Sequence, residues 1–308
     1  MTGFSATDAA LEGFRITRER PKALAAWTAF SFAVSLAGVL ITVNMPADAR
    51  RALEALKSEQ TPDPNALLQA LATLSPLLLF GLAVQCMMAA AVYRIMLRPA
   101  DQKYSYLRLG RDELRLMALT LIYLALGVVL IAAIQLVVFV VAMVASALGQ
   151  GAMVFVGSVT ELFTIGVFVY VAVRMSLAPV ITFEHGKLSI FDSWALTRGQ
   201  FWRLLGAYLL AICCVFVVAV LAMILFWSVS ALVVLATGGS LTDLRAIQQP
   251  DETRLATYAN PFMIAYMIVG SLFTAIYYAV IAAPGAYAYR ALGLQPPTPT
   301  VAGHPWES

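Results

Sequence analysis

Glu161 is the one acidic residue well inside a long apolar stretch of this chain, nine positions past Ala152. On a helix that places it about 13 Å along the axis. An ionisable group at such depth in an apolar setting is a functional-site hypothesis by default. It can stay neutral, line a polar cavity or pair across helices. Arg174, thirteen residues on, would lie roughly 20 Å away along the same helix and is not its partner. Gln85 and Gln135 are candidate partners across helices. A cavity, a helix interface and the outer surface all stay open as its location.

Arg94, Arg174 and Arg290 form a second constellation. Each terminates an apolar stretch, with Tyr93, Tyr170 or Tyr289 within helical reach. If the stretches converge, three guanidiniums meet lipid phosphates at one depth with bidentate geometry. The plainer role is anchoring, since arginines at span ends snorkel and fix depth. Pro99, Pro179 and Pro284 lie close by and bend or end helices there. Further chemistry is sparse. Of two histidines, His185 follows Glu184 and His304 lies beyond Pro296-Pro297. No grouping of His, Cys, Asp and Glu has metal-ligand spacing, and no phosphate-cradling glycine loop, serine elbow or H-E-x-x-H occurs. The expectation is no metal, no cofactor and no enzymatic activity.

The elements that must hold these residues are plain in the composition. Apolar residues make up 61% of 308 and charged residues 12%, against about 25% charged in a soluble domain. Net charge is only +3, too small to suggest nucleic acid. Cys86, Cys213 and Cys214 all fall in apolar stretches and behave there as small hydrophobes. Six apolar runs, at about 24–43, 71–97, 116–148, 152–183, 204–236 and 262–291, each reach the ~20 residues that cross a bilayer. Lipid offers no partner to backbone groups, so each must be a helix. Several exceed thirty residues without clear breaks, which implies tilt or protrusion. The predicted fold is an all-α, polytopic integral membrane bundle of six transmembrane helices, residues 23–293, with short interfacial helices.

Fifteen Lys and Arg fall on one side of these spans and five on the other. By the positive-inside rule, residues 1–22 and 294–308 are cytoplasmic. Arg-rich 15–22, an apolar run and Ala47-Asp48-Ala49 imitate a signal peptide, but the run is too long for an h-region, and an uncleaved first span is expected. Among the inner links, Ser189 and Asp192 have capping-box spacing. Phe191, Trp194, Ala195 and Arg198 then recur at helical spacing before Phe201-Trp202-Arg203. This predicts a short amphipathic helix over 189–199 on the inner leaflet, with Trp194 and Trp202 at headgroup level. Tyr104, Leu107, Arg111 and Leu114 sketch a similar element before the third span.

The span ends echo each other. Ala91-Val92-Tyr93-Arg94 through Pro99 parallels Ala172-Val173-Arg174 through Pro179, and Tyr287-Ala288-Tyr289-Arg290 repeats the fragment. The echo keeps one direction in the membrane, which suggests parallel hairpins rather than an inverted repeat. The stretch from Arg174–Pro179 through Ser189, Ser193, Leu196-Thr197-Arg198-Gly199 and Phe201-Trp202 resembles the six-span membrane domain fused to some glycerophosphodiester phosphodiesterases, and its stand-alone bacterial relatives. The likeness covers some 35 residues strongly. It implies an all-helical membrane module and carries no activity, because this chain has no tract resembling the catalytic domain. The expected protein is therefore a bacterial inner-membrane module that binds lipid or scaffolds a membrane-protein partner or a second copy. The alternative is a transporter or channel-like protein using Glu161 as an intramembrane carboxylate.

Overall fold

The computed structural model describes residues 4–58, 64–101, 103–147, 149–236, 251 and 254–292. The helices are α1 (Ala6–Glu19), α2 (Pro21–Val43), α3 (Ala47–Ser58), α4 (Pro64–Leu97), α5 (Arg111–Ser146), α6 (Gln150–Met175), α7 (Ala178–His185), α8 (Asp192–Leu196), α9 (Phe201–Ala236), α10 (Leu255–Tyr258) and α11 (Pro261–Ala291). No strand occurs among the described residues. Six of the helical stretches are long and apolar enough to cross a membrane. Their outer faces stay uncovered, with Leu136, Val154 and Leu232 each about two-thirds exposed or more. On helices of this length and hydropathy, apolar faces of that extent suit hydrocarbon rather than water. The chain is a multi-pass, all-helical membrane protein.

Its Cα atoms fall into two compact units. One takes in Met1–Ala9, Leu109–Tyr208 and Pro284–Ser308, the other Ala10–Arg108 and Leu209–Ala283. Hydroxyls within the spans are largely satisfied by their own helix. Thr28, Ser35, Thr42, Thr120, Thr164 and Ser271 each donate to the carbonyl four residues back. Such back-bonding keeps polar groups paired without a water path. In α4, Pro76 has no N–H to offer the Ala72 carbonyl, and the Ser75 hydroxyl donates to it instead at 2.8 Å.

Three elements differ from the sequence expectation. The N-terminal segment is a packed helix: Ala10 of α1 shares a core with Ala211, Val215 and Val280. There Gly13 lies so close to α11 that a Cβ on it would stand 2.6 Å from the Ala279 carbonyl. The fourth apolar run is two helices, because α6 ends at Met175 and α7 starts at Ala178 with Pro179 in its first turn. Proline there cannot donate to the preceding turn and crowds its carbonyls, which ends α6. The amphipathic helix expected around Tyr104–Leu114 is absent. Lys103–Tyr106 is instead a tight left-handed turn with Tyr104, Ser105 and Tyr106 at φ of 50°, 54° and 70°. α5 begins only at Arg111, where Glu113 accepts from the Gly110 N–H at 2.8 Å.

Candidate functional site

The left-handed turn after α4 costs about 1–2 kcal/mol per residue for L side chains, so something must hold it. Arg94 does: fully buried, it donates from Nη1 to the Tyr106 carbonyl at 2.8 Å. Trp27 of α2, also buried, donates from Nε1 to the Ser105 carbonyl at 3.0 Å. The Tyr106 hydroxyl donates to the Pro99 carbonyl at 3.2 Å and accepts from Arg20 at 3.3 Å. The Arg94 guanidinium thus fastens a loop within its unit, and its burial keeps it from the headgroup contact the sequence suggested.

Arg174 does a related job in the other unit with different partners. The break after α6 frees its carbonyl, which accepts from the Ser193 hydroxyl at 2.6 Å. The same hydroxyl accepts the Leu177 N–H at 3.2 Å, so one side chain bridges both sides of the break. Thr197 donates to the Ser193 carbonyl at 2.8 Å and accepts from Arg174 Nη1 at 3.2 Å. The Arg174 guanidinium carbon stands 4.8 Å from the Trp194 ring centroid and 5.9 Å from that of Tyr170. Two further bonds hold the segment between α7 and α9. The Ser189 N–H donates to the Thr182 hydroxyl at 3.1 Å, and the Tyr123 hydroxyl donates to the Ile190 carbonyl at 2.8 Å.

That network reshapes the expected interfacial helix. α8 is only five residues long and starts at Asp192, with Phe191 in the cap position and no side-chain cap. Ser189 is buried and lies two residues before the Phe191 cap position, with its backbone N–H tied to the Thr182 hydroxyl. Trp202 belongs to the first turn of α9 and is 79% exposed, while Phe191 is 61% exposed. Tyr170 packs edge-on to Trp194 and tilted on Phe201, with ring centroids 5.7 and 5.3 Å apart.

Beside this lock lies a shallow cavity, open to the surface, of about 770 Å³ and lined by Arg174, Met175, Phe191, Trp194, Ala195 and Arg198. Arg174 is 7% exposed, and its buried Nε has no hydrogen-bond partner among the described residues. Arg198 is exposed. Neither guanidinium forms an ion pair with a described residue. A buried cation without a counter-anion is costly unless an anion completes it.

The other sequence candidates lie elsewhere. Arg290 is exposed at the end of α11, where its neighbour Tyr289 is buried with its hydroxyl 3.4 Å from His185 Nε2. Glu161 is exposed on α6, and Gln85 and Gln135 are exposed too. No group of three or more His, Cys, Asp or Glu is placed to hold a metal ion among the described residues. Sequence reasoning missed the roles of Ser193 and Thr197, although both stand in the stretch that carried the family resemblance. Hydroxyls spaced four apart, Ser193 in α8 and Thr197 just past its end, were the available signal.

Fold and site together define an all-helical, multi-pass membrane protein with an arginine-centred lock at the end of its fourth span. Comparison with protein-family profiles, curated protein sequences and solved structures finds no match in any of the three.

Proposed function

We propose that this protein is a non-catalytic module of a bacterial inner membrane, with both termini cytoplasmic, that binds anionic lipid at its arginine-rich inner ends. One observation carries the reading. The segment between α7 and α9 is held by four side-chain locks, through Ser193, Thr197, Thr182 and Tyr123, while Phe191 and Trp202 stay exposed and Arg198 lines a cavity with Phe191. Rigid aromatic groups next to basic ones suit the headgroup layer, where rings partition and each nearby cation adds about 1 kcal/mol toward an anionic leaflet. The charge bias between the two sides supports the orientation. The resemblance to the membrane domain of glycerophosphodiester phosphodiesterases agrees with such a module. Native mass spectrometry of the protein in nanodiscs of mixed phosphatidylglycerol and phosphatidylcholine tests it. Enriched phosphatidylglycerol is the expected result, and equal retention of both lipids refutes the reading. Cysteine labelling from either side at Ser5 and Asn44 tests the orientation, with Ser5 reactive from the cytoplasm.

A further inference from the structure

We infer that the cavity beside α8 is a discrete phosphate site, in which Arg174 and Arg198 clamp the phosphate of one membrane lipid; the inference rests on the lipid-binding reading and names its locus. The buried Arg174 side chain supplies the first half of the clamp. Thr197 takes Nη1 and the Trp194 ring stacks on the guanidinium, which holds the side chain at the cavity wall. Side chains fixed in this way bind with little loss of rotamer freedom, because packing has already restricted them. The planar fork of a guanidinium matches phosphate oxygens, and among the described residues no carboxylate pairs with either cation.

Arg198 supplies the second half. It stands four residues after Trp194 and lines the same cavity from a position open to the surface. Two cations lining one cavity suit an anion, and a lipid of net negative charge suits them better than zwitterionic phosphatidylcholine, whose choline brings a further positive charge. The remaining lining is apolar: Met175, Phe191 and Ala195 with the Trp194 ring. A cavity of about 770 Å³ is more than a bare phosphate needs, and falls in the ~300–1,000 Å³ range of small-molecule sites. The ligand class is therefore a phosphate ester with an apolar body. A glycerophospholipid has that chemistry, and a soluble phosphate ester shares its charged part.

The test uses the full chain in phosphatidylcholine nanodiscs doped with phosphatidylglycerol, with retained lipid read by native mass spectrometry. Arg198→Ala, at an exposed position, should lower phosphatidylglycerol retention roughly tenfold, as expected for one lost charge-assisted contact. Arg198→Lys should keep part of it. Arg174→Lys, checked for folding by circular dichroism, should lower it as well. Arg50→Ala, on the opposite side of the spans, should change nothing. A calorimetric titration with glycerol 3-phosphate in detergent separates the two sources. Binding that Arg198→Ala abolishes, without phosphatidylglycerol preference in the wild type, keeps the site and assigns it to a soluble ester, while the lipid-binding reading fails. Wild-type levels of phosphatidylglycerol in both folded arginine variants overturn the site and leave that reading standing.

Discussion

Arg94 and Arg174 end their spans in matching sequence, each five residues before a proline, and each guanidinium donates to the segment that follows. Around Arg94 that segment is a left-handed turn closed by backbone carbonyls, Trp27 and Tyr106. Nothing of the guanidinium is left exposed. Around Arg174 the segment is a short helix whose hydroxyls bind the backbone and whose ring stacks on the cation, leaving a cavity alongside. Arg94 and Arg174 are thus both fastenings, and of the two only Arg174, whose clasp comes from side chains that cover one face of it, borders a cavity. The echo in sequence does not distinguish these outcomes, and its third copy ends in Arg290, which is exposed.

The largest expected effect tests the fastening at its closed form. Arg94→Ala removes a buried charge-assisted bond and opens a void under a strained turn, and should cost about 3–5 kcal/mol of stability. A thermal unfolding series in detergent measures it; a loss under 1 kcal/mol would mean that the turn holds itself. Any folded Arg94 variant should retain lipid as the wild type does. Ser193→Ala comes next, at about 1–3 kcal/mol, because the Arg174 carbonyl and Leu177 N–H both lose a buried partner. Hydrogen exchange should rise locally over residues 186–200, and uniform exchange across the unit would break the comparison. Trp27→Phe keeps the ring and deletes one donor to the Ser105 carbonyl, so about 1 kcal/mol is expected in the same unfolding assay. Glu161→Gln sits at the small end. It should shift stability by less than about 0.5 kcal/mol and leave lipid retention unchanged; loss of a pH-dependent ion flux in liposomes would instead make Glu161 the working group and the arginines its scaffold.

Much of the architecture was legible before any coordinates. Spans of twenty apolar residues have one stable backbone state in lipid, so Pro21–Val43 and Pro261–Ala291 could be read from composition. Shorter elements were less legible because their conformations depend on distant partners. Nothing local to Tyr104-Ser105-Tyr106 favours positive φ; the turn exists because Arg94 and Trp27 supply donors to it. The helix expected over 189–199 shrank to Asp192–Leu196 because Thr182 and Tyr123 claim the backbone at Ser189 and Ile190. The buried face of α1 was written in Ala9, Ala10, Gly13 and Ile16, but small residues at helical spacing show only that something can approach, and not what.

The sequence by itself determined the environment and the number of spans, and it marked the arginines at their ends. Hydrophobic length and charge are additive along the chain, so they survive without knowledge of contacts. Only the tertiary structure decided which guanidinium closes on the backbone and which borders a cavity. That choice depends on the direction in which a few hydrogen-bond donors and rings are held, and those directions are set by residues far apart in the chain.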